Sequence, residues 1–395
     1  MPKADAEPRP AWMIPPSEES VYLSRPTVTG GEAAAVADAI ARNTASGGGH
    51  YSKRCEALIA AAMGRHAMLT PSCTAALEFA CVLSELKPGD EVILPSFTFS
   101  STANAIVLQG AVPVFVDIRE DTLNLDERLV EAAVTPRTRA ILPVHYAGIP
   151  AEMDEINSIA RRHNLKVIED AAQAYGSTYR GRPAGALGDM GAFSFHATKN
   201  LHCGEGGALV VNGELLAERG EIVREKGTNR TKFLRGEIDK YTWVDVGSSY
   251  LLNEISAAYL EQQLLHVETI NADRLATWAN YHAAFAELER AGDLRRPIVP
   301  AHVTGNGHIY YILTPTARDR DRLQPQLRAA RIQAVSHYEP LHKASAGQRF
   351  GRVAGAMMVT DSMASRLLRL PLYYQMGDAA DRVIDALFTA FGRRA

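Results

Sequence analysis

Apolar residues along this chain fall into short unbroken runs separated by longer stretches with helical spacing. Residues 91–95, 112–117, 139–145 and 166–170 are such runs, and residues 101–109, 126–133 and 151–163 between them carry helical patterns. A strand buried on both faces reads as a continuous apolar run. Strands of that kind alternating with helices predict a parallel sheet covered on both sides. Residues 191–195 and 207–212 are two further strand candidates. The punctuation agrees. Ser72 is placed as an N-cap before the helical stretch 74–80, which Lys87-Pro88-Gly89-Asp90 closes, and Gly110 suits the C′ position after 101–109.

Beyond Ser249 the pattern changes. Residues 252–291 read as one long helical region, with Leu252, Ile255 and Tyr259 at i, i+3, i+7. Strands near 308–314 and 334–338, and helices near 319–330 and 378–391, then suggest a smaller α/β unit. The expected division is a tail at 1–16, a large domain at 17–250, and the long helix with a small C-terminal domain at 251–395. A chain of 395 residues suits this division better than one small core.

Composition removes several function classes. A formal net charge of −3, with basic and acidic residues interspersed, argues against a nucleic-acid partner. Cys55, Cys73, Cys81 and Cys203 have no close-paired spacing, so reduced thiols are expected and neither a disulfide framework nor a zinc site. His196, His202 and Cys203 match no metal-ligand spacing, and no metal is expected. The first sixteen residues are rich in Pro, Ala and charge and lack the apolar segment of a signal peptide, so a disordered tail is expected. No run approaches the roughly 20 apolar residues of a membrane span, and a cytoplasmic protein is expected.

The candidate chemistry centres on Lys199, in Phe193-Ser194-Phe195-His196-Ala197-Thr198-Lys199-Asn200, just before the turn Gly204-Glu205-Gly206-Gly207. Asp170 closes the strand 166–170 upstream. A lysine about thirty residues beyond an aspartate at a strand end suits a pyridoxal phosphate (PLP) site. The lysine would form the Schiff base and the aspartate would keep the pyridine nitrogen protonated. A lysine lodged among apolar and glycine residues tends toward the depressed pKa that this role needs. Other candidates also follow strand ends, where ligands of open α/β sheets gather. Ser72-Cys73-Thr74 opens a helix whose N–H groups suit a phosphate, or is simply an N-cap. Phe99 could stack on a flat ring, or pack in the core. Gln173 could hydrogen-bond a phenolic oxygen, or lie on the surface.

Several stretches together resemble the DegT/DnrJ/EryC1/StrS family of sugar aminotransferases, a branch of the fold-type I PLP enzymes. They are Thr70 through Leu77, Leu94-Pro95-Ser96-Phe97-Thr98-Phe99, Pro143-Val144-His145-Tyr146-Ala147-Gly148, Val167 through Gln173, and Phe193 through Lys199 to Gly207. Within the family the likeness is nearest to the dTDP-4-amino-4,6-dideoxygalactose transaminase group, carried by Glu225 to Arg230, Asp239 to Trp243 and Gly247 to Leu251. The resemblance implies an α/β, fold-type I PLP-dependent transferase: a large, mostly parallel sheet of the seven-stranded type and a smaller C-terminal α/β domain. It implies that Lys199 forms the Schiff base, Asp170 contacts the pyridine nitrogen, Gln173 lies near the phenolic oxygen, and Phe99 stacks on the ring. Cys73, Thr74 and Ser194 would hold the phosphate. Ser249 stands where most relatives carry an Asn reaching the cofactor across a dimer interface. On the substrate side, Arg230 and Lys240 would meet a nucleotide diphosphate, or form a solvated basic loop. Tyr338 and His342 resemble a segment that approaches the sugar, although a structural His342 is the alternative.

The implied reaction is a ping-pong transamination by a homodimer. L-Glutamate would leave its amino group on the cofactor as pyridoxamine phosphate. That amine would then pass to the 4-keto group of a dTDP-linked 4-keto-6-deoxyglucose. Two rivals follow. Keto-sugar 3-dehydratases of the family put His at the Schiff-base position, against which Lys199 speaks. A catalytically silent regulatory or sensor protein would not need Lys199, Asp170 and Gln173 together.

Overall fold

A computed structural model describes residues 19–394, so the tail expected at 1–16 lies outside the described residues. The strands in chain order are β1 (His66–Thr70), β2 (Glu91–Pro95), β3 (Val112–Val116), β4 (Thr138–Ile141), β5 (Lys166–Asp170), β6 (Thr178–Tyr179), β7 (Arg182–Pro183), β8 (Met190–Ser194), β9 (Gly207–Val211), β10 (Val303–Thr304), β11 (Tyr310–Leu313), β12 (Arg352–Val353) and β13 (Leu367–Leu370). Eight of them form the main sheet, in the order β1-β9-β8-β5-β4-β2-β3-β12. The run from β8 to β12 is parallel, whereas β9 is antiparallel to both β8 and β1.

The middle residues of the central strands are mostly apolar because both faces of the sheet are covered. On β2, Val92 and Leu94 pack with Phe79 and Ile106, while Ile93 packs with Val114, Ile141 and Ile156 on the other side. Ile168 and Val167 of β5 divide between the same two cores. Two features differ from the expected sheet. An eighth strand, β12, is two residues long and comes from the C-terminal part of the chain to pair with β3. His66–Thr70, which alternates too weakly to stand out, forms the opposite edge.

The helical region expected as one piece at 252–291 is three helices, Glu254–Leu265, Val267–Ala284 and Ala286–Arg290. The first break falls at His266, whose ring bonds back to the Gln262 carbonyl at 2.7 Å and whose backbone leaves helical values. The strand expected at 334–338 reduces to a single bridge between Val335 and Arg369. Past Val335 the chain turns its side chains into polar contacts: His337 meets the Tyr146 hydroxyl at 2.7 Å and Tyr338 accepts from Gln173.

β11 and β13 pair antiparallel and pack one face on the helices Val267–Ala284 and Ala379–Ala390. That core contains Tyr281, Phe285, Tyr310, Leu327, Leu368, Leu370 and Leu387. Val21, near the start of the described chain, joins it and bridges Ile332. The opposite face of β11 and β13 packs Tyr311, Leu313 and Leu367 against Phe97 and Tyr146. The two halves of the chain therefore meet beside the loop that follows β2.

Candidate active site

The carboxyl ends of β1, β2, β5 and β8 open on one side of the sheet, and a cavity of about 580 Å³ lies there. It is lined by Cys73, Thr74, Phe99, Asp170, Gln173, Ser194, Lys199 and Tyr338, all expected from the sequence. Thr98, Ser101, His196, Glu205, His308, His337 and Arg369 are among its other polar lining residues.

Lys199 sits in a loop that folds back on itself between β8 and β9. The Lys199 N–H donates to the His196 carbonyl at 2.9 Å, and the N–H groups of Phe195 and Ala197 donate to Gly206 and Gly204 at 2.8 Å. Burial pushes the lysine pKa down, against the opposing pull of Cys73 and Asp170. The free base, the form that attacks a carbonyl, is thereby favoured.

Asp170 is 5 % exposed. Its Oδ2 accepts from the Thr102 hydroxyl at 2.8 Å and its Oδ1 from the Ala172 N–H at 3.1 Å. Thr102 in turn lies 2.8 Å from the Thr98 hydroxyl. Burial raises the Asp170 pKa, and these two bonds pull it back. A carboxylate desolvated in this way fits a cationic ring nitrogen, the group a protonated pyridine would present.

The phosphate end is equally specific. Ser72 is indeed an N-cap, its Oγ accepting from the Ala75 N–H at 3.1 Å. First-turn N–H groups of a helix have no intrahelical acceptor, and Cys73 and Thr74, which open the helix Cys73–Leu83, line the cavity alongside Ser194. Gly207 permits this approach, because a Cβ there would lie 2.4 Å from the Ser72 carbonyl carbon and 2.5 Å from the Cys73 nitrogen. The Cys73 thiol is buried and its pKa is pushed well up, so it stays protonated. The donor set therefore fits PLP at both ends.

Gln173 is buried, not at the surface: its Oε1 accepts from the Ala147 N–H and its Nε2 donates to the Tyr338 hydroxyl, each at 2.7 Å. Phe99 is 58 % exposed at the cavity wall, not in the core, and tilts toward Tyr338 at 6.3 Å. Tyr338 itself stacks on His337 at 3.7 Å. Burial holds His308 and His337 well below the usual histidine range, so both are neutral.

Four expected residues lie elsewhere. Arg230 pairs with Glu225 at 2.9 Å, Lys240 is exposed, and Ser249 is exposed on a bridge to Glu225, all outside the cavity. His342 also lies outside the cavity lining. Its Nδ1 lies 2.8 Å from the Ser96 hydroxyl and its Nε2 3.3 Å from Asp361, so it braces the loop after β2 from behind.

Sequence reasoning missed Thr102, His308, His337 and Arg369. No local pattern marks them: His308, His337 and Arg369 line the cavity and Thr102 backs Asp170 from beneath it, each from an element whose placement depends on the tertiary fold.

A family profile matches residues 26–388, that of the DegT/DnrJ/EryC1/StrS aminotransferase family. The chain belongs to this family. It is similar to dTDP-3-amino-3,4,6-trideoxy-alpha-D-glucose transaminase of Streptomyces venezuelae, at 38 % identity over 325 residues, 82 % of each chain. Among solved structures, S. venezuelae DesV in complex with a ketimine intermediate is 36 % identical with a TM-score of 0.83, covering 91 % of this chain and 94 % of that one. The aminotransferase TlmJ of Streptoalloteichus hindustanus is 30 % identical with a TM-score of 0.86, covering 94 % and 99 %. As a DegT/DnrJ/EryC1/StrS member the chain is a PLP-dependent sugar aminotransferase with the fold-type I architecture. No described helix is long and apolar enough to cross a membrane.

Proposed function

We propose that this enzyme transfers the amino group of L-glutamate to C4 of dTDP-4-keto-6-deoxy-D-glucose, giving a dTDP-4-amino-4,6-dideoxyhexose and 2-oxoglutarate. The observation that carries the reading is the meeting of Lys199, Asp170, Gln173 and Tyr338 in one cavity at the sheet's carboxyl edge. Bound PLP supplies the electron sink that stabilises a carbanion at the donor's Cα. Lys199 is the proton carrier in both half-reactions, burial lowering its pKa and favouring the free amine that accepts a proton at Nζ. Asp170, fixed by Thr102 and Ala172, holds the proton on the pyridine nitrogen. Gln173 orients from the phenolic side, locked between Ala147 and Tyr338. Cys73, Thr74 and Ser194 take the phosphate, and Phe99 covers the ring.

The working form is a cytoplasmic homodimer. Supporting it, Phe233, Leu234, Tyr241, Trp243, Val244 and Val246 are all exposed within one segment, which also carries Arg230 and Lys240. An apolar surface of that kind marks a contact face. In a dimer it would bring Arg230, Lys240 and Ser249 toward a neighbouring cavity, the diphosphate and cofactor positions expected for them.

A second reading has a specific support: the S. venezuelae relative is named for a 3-amino product. The test is to incubate the holoenzyme with L-glutamate and the 4-keto and 3-keto dTDP-6-deoxy sugars separately. NMR of the product locates the nitrogen, and couplings at C4 separate axial from equatorial amine. Nitrogen at C4, whichever its configuration, supports the reading; amination of the 3-keto sugar alone overturns it in favour of the second.

A further inference from the structure

A second, smaller cavity adjoins Lys199, between the loop after β5 and the chain leading into β11. Its volume is about 10 Å³, the space of roughly one water molecule. Gln173, Ser194, Lys199, Asn200, Asn306 and His308 are its polar lining. Gln173, Ser194, Lys199 and His308 also line the large cavity, whereas Cys73, Thr74 and Phe99 line only the large one. Lys199 therefore stands between the space that suits the cofactor and this small pocket.

The hydrogen bonds around the pocket fix which atoms carry protons. Asn200 Nδ2 lies 2.9 Å from the Asn306 carbonyl, which can only accept, so Oδ1 is left as the acceptor of that amide. The same Nδ2 donates to Asn271 Oδ1 at 2.9 Å, and Asn271 Nδ2 donates to the Tyr175 carbonyl at 3.3 Å. His308 Nδ1 lies 3.0 Å from Asn200 Oδ1. An acceptor at that place requires a proton on Nδ1. Burial keeps the ring neutral, so Nε2 carries a bare lone pair. Neither His308 Nε2 nor Lys199 Nζ has a hydrogen-bond partner among the described residues. His308 is only 6 % exposed, so bulk water does not satisfy that lone pair.

We propose that His308 is a positioning residue for Lys199, its Nε2 accepting a hydrogen bond from Nζ through one water held in the small cavity. The inference rests on the transamination reading. A neutral amine takes a proton from the donor's Cα with its only lone pair. Its N–H bonds then point away from the reacting carbon and need an acceptor on the far side. Lys199 has none in direct contact, and the bare Nε2 of His308 meets that need. A neutral ring orients the amine, whereas a carboxylate there would hold it as the ammonium ion and spoil it as a base.

The test compares His308→Phe and His308→Gln with the wild type. Glutamine keeps both functions, an N–H for Asn200 and an oxygen for the water, while phenylalanine keeps a ring and neither function. With holoenzyme and L-glutamate alone, single-turnover loss of the lysine-bound band near ~420 nm should slow about 10- to 100-fold in His308→Phe. The apparent KM for glutamate and the affinity for PLP should be unchanged. The isotope effect with α-deuterated glutamate should rise, because proton transfer becomes the slow step. His308→Gln should recover most of the rate. NMR of the ¹⁵N-histidine-labelled wild type, with and without PLP, should show the Nδ1–H form at the signal that His308→Gln removes. An Nε2–H form overturns the proposal. So does a His308→Phe enzyme with wild-type rate and isotope effect. Lowered Tm and PLP affinity in both variants, with no recovery by glutamine, also overturn it, making His308 structural. A wild type that forms pyridoxamine phosphate from glutamate yet aminates no keto sugar overturns the sugar reading and leaves this one standing.

Discussion

Thr102→Val removes one hydroxyl while keeping the side chain's shape, and it isolates the contribution of the group that holds Asp170. Thr102 is fully buried and its hydroxyl donates to Asp170 at 2.8 Å, leaving the Ala172 N–H at 3.1 Å as the other donor. A hydrogen bond to a charged group contributes about 1.5–3 kcal/mol, so the ionised form of Asp170 loses that support. Burial already raises its pKa, and the variant should raise it further. A less stable carboxylate holds the ring proton less well. Cofactor affinity should fall about 10- to 100-fold, since each 1.4 kcal/mol is a factor of ten. The glutamate half-reaction should slow. The sign of the pH dependence follows: PLP binding should be lost on acidification at a higher pH than in the wild type. The assay is a spectroscopic titration of the apoenzyme with PLP across pH, with far-UV circular dichroism as a fold control. Wild-type affinity and an unshifted acid limb in Thr102→Val would refute the reasoning.

Three further outcomes are expected. Lys199→Ala should abolish amino transfer while still binding PLP noncovalently, without the lysine-bound band; near-normal product formation would remove Lys199 from its role. Gly207→Ala should force the β9 hairpin away from the start of the helix Cys73–Leu83, weakening phosphate-dependent binding so that PLP affinity drops more than that for pyridoxal. Glu91 is 1 % exposed, and Arg352, then Thr135 and Arg137, overcome its burial to hold its pKa down to about 2 from 4.5. A depressed carboxylate stabilises the fold above its unfolded pKa, and that stability is lost between about pH 4.5 and 2. Glu91→Gln should therefore cost about 2 kcal/mol at pH 7, less than a fully buried pair because both arginines are partly in water. The difference in Tm from wild type should shrink as the pH falls toward 2.

The sheet and the cofactor end of the site were legible because both are written locally. Largely apolar runs such as 91–95 announce strands covered on both faces, and Ser72, Asp170, Ser194 and Lys199 each lie at or just beyond a strand's end. β12 escaped because two residues carry no periodicity, and the break at His266 because a ring–carbonyl bond interrupts an otherwise helical pattern. The sequence left His342 open between a sugar contact and a structural residue, because the turn at Leu341–Lys343 that brings its ring to Ser96 is set by tertiary packing. Thr102 and Arg369 look like ordinary helix and strand residues in sequence. Only the packing of β13 against the loop after β2 shows that Arg369 stands charged where its neighbours are apolar.

Reduction of the PLP-loaded enzyme with borohydride, followed by proteolysis and mass mapping, addresses the central claim most directly. A single phosphopyridoxyl-modified peptide bearing the label on Lys199 is the result expected. Label on another lysine, or none in enzyme that shows the visible band, would contradict the account.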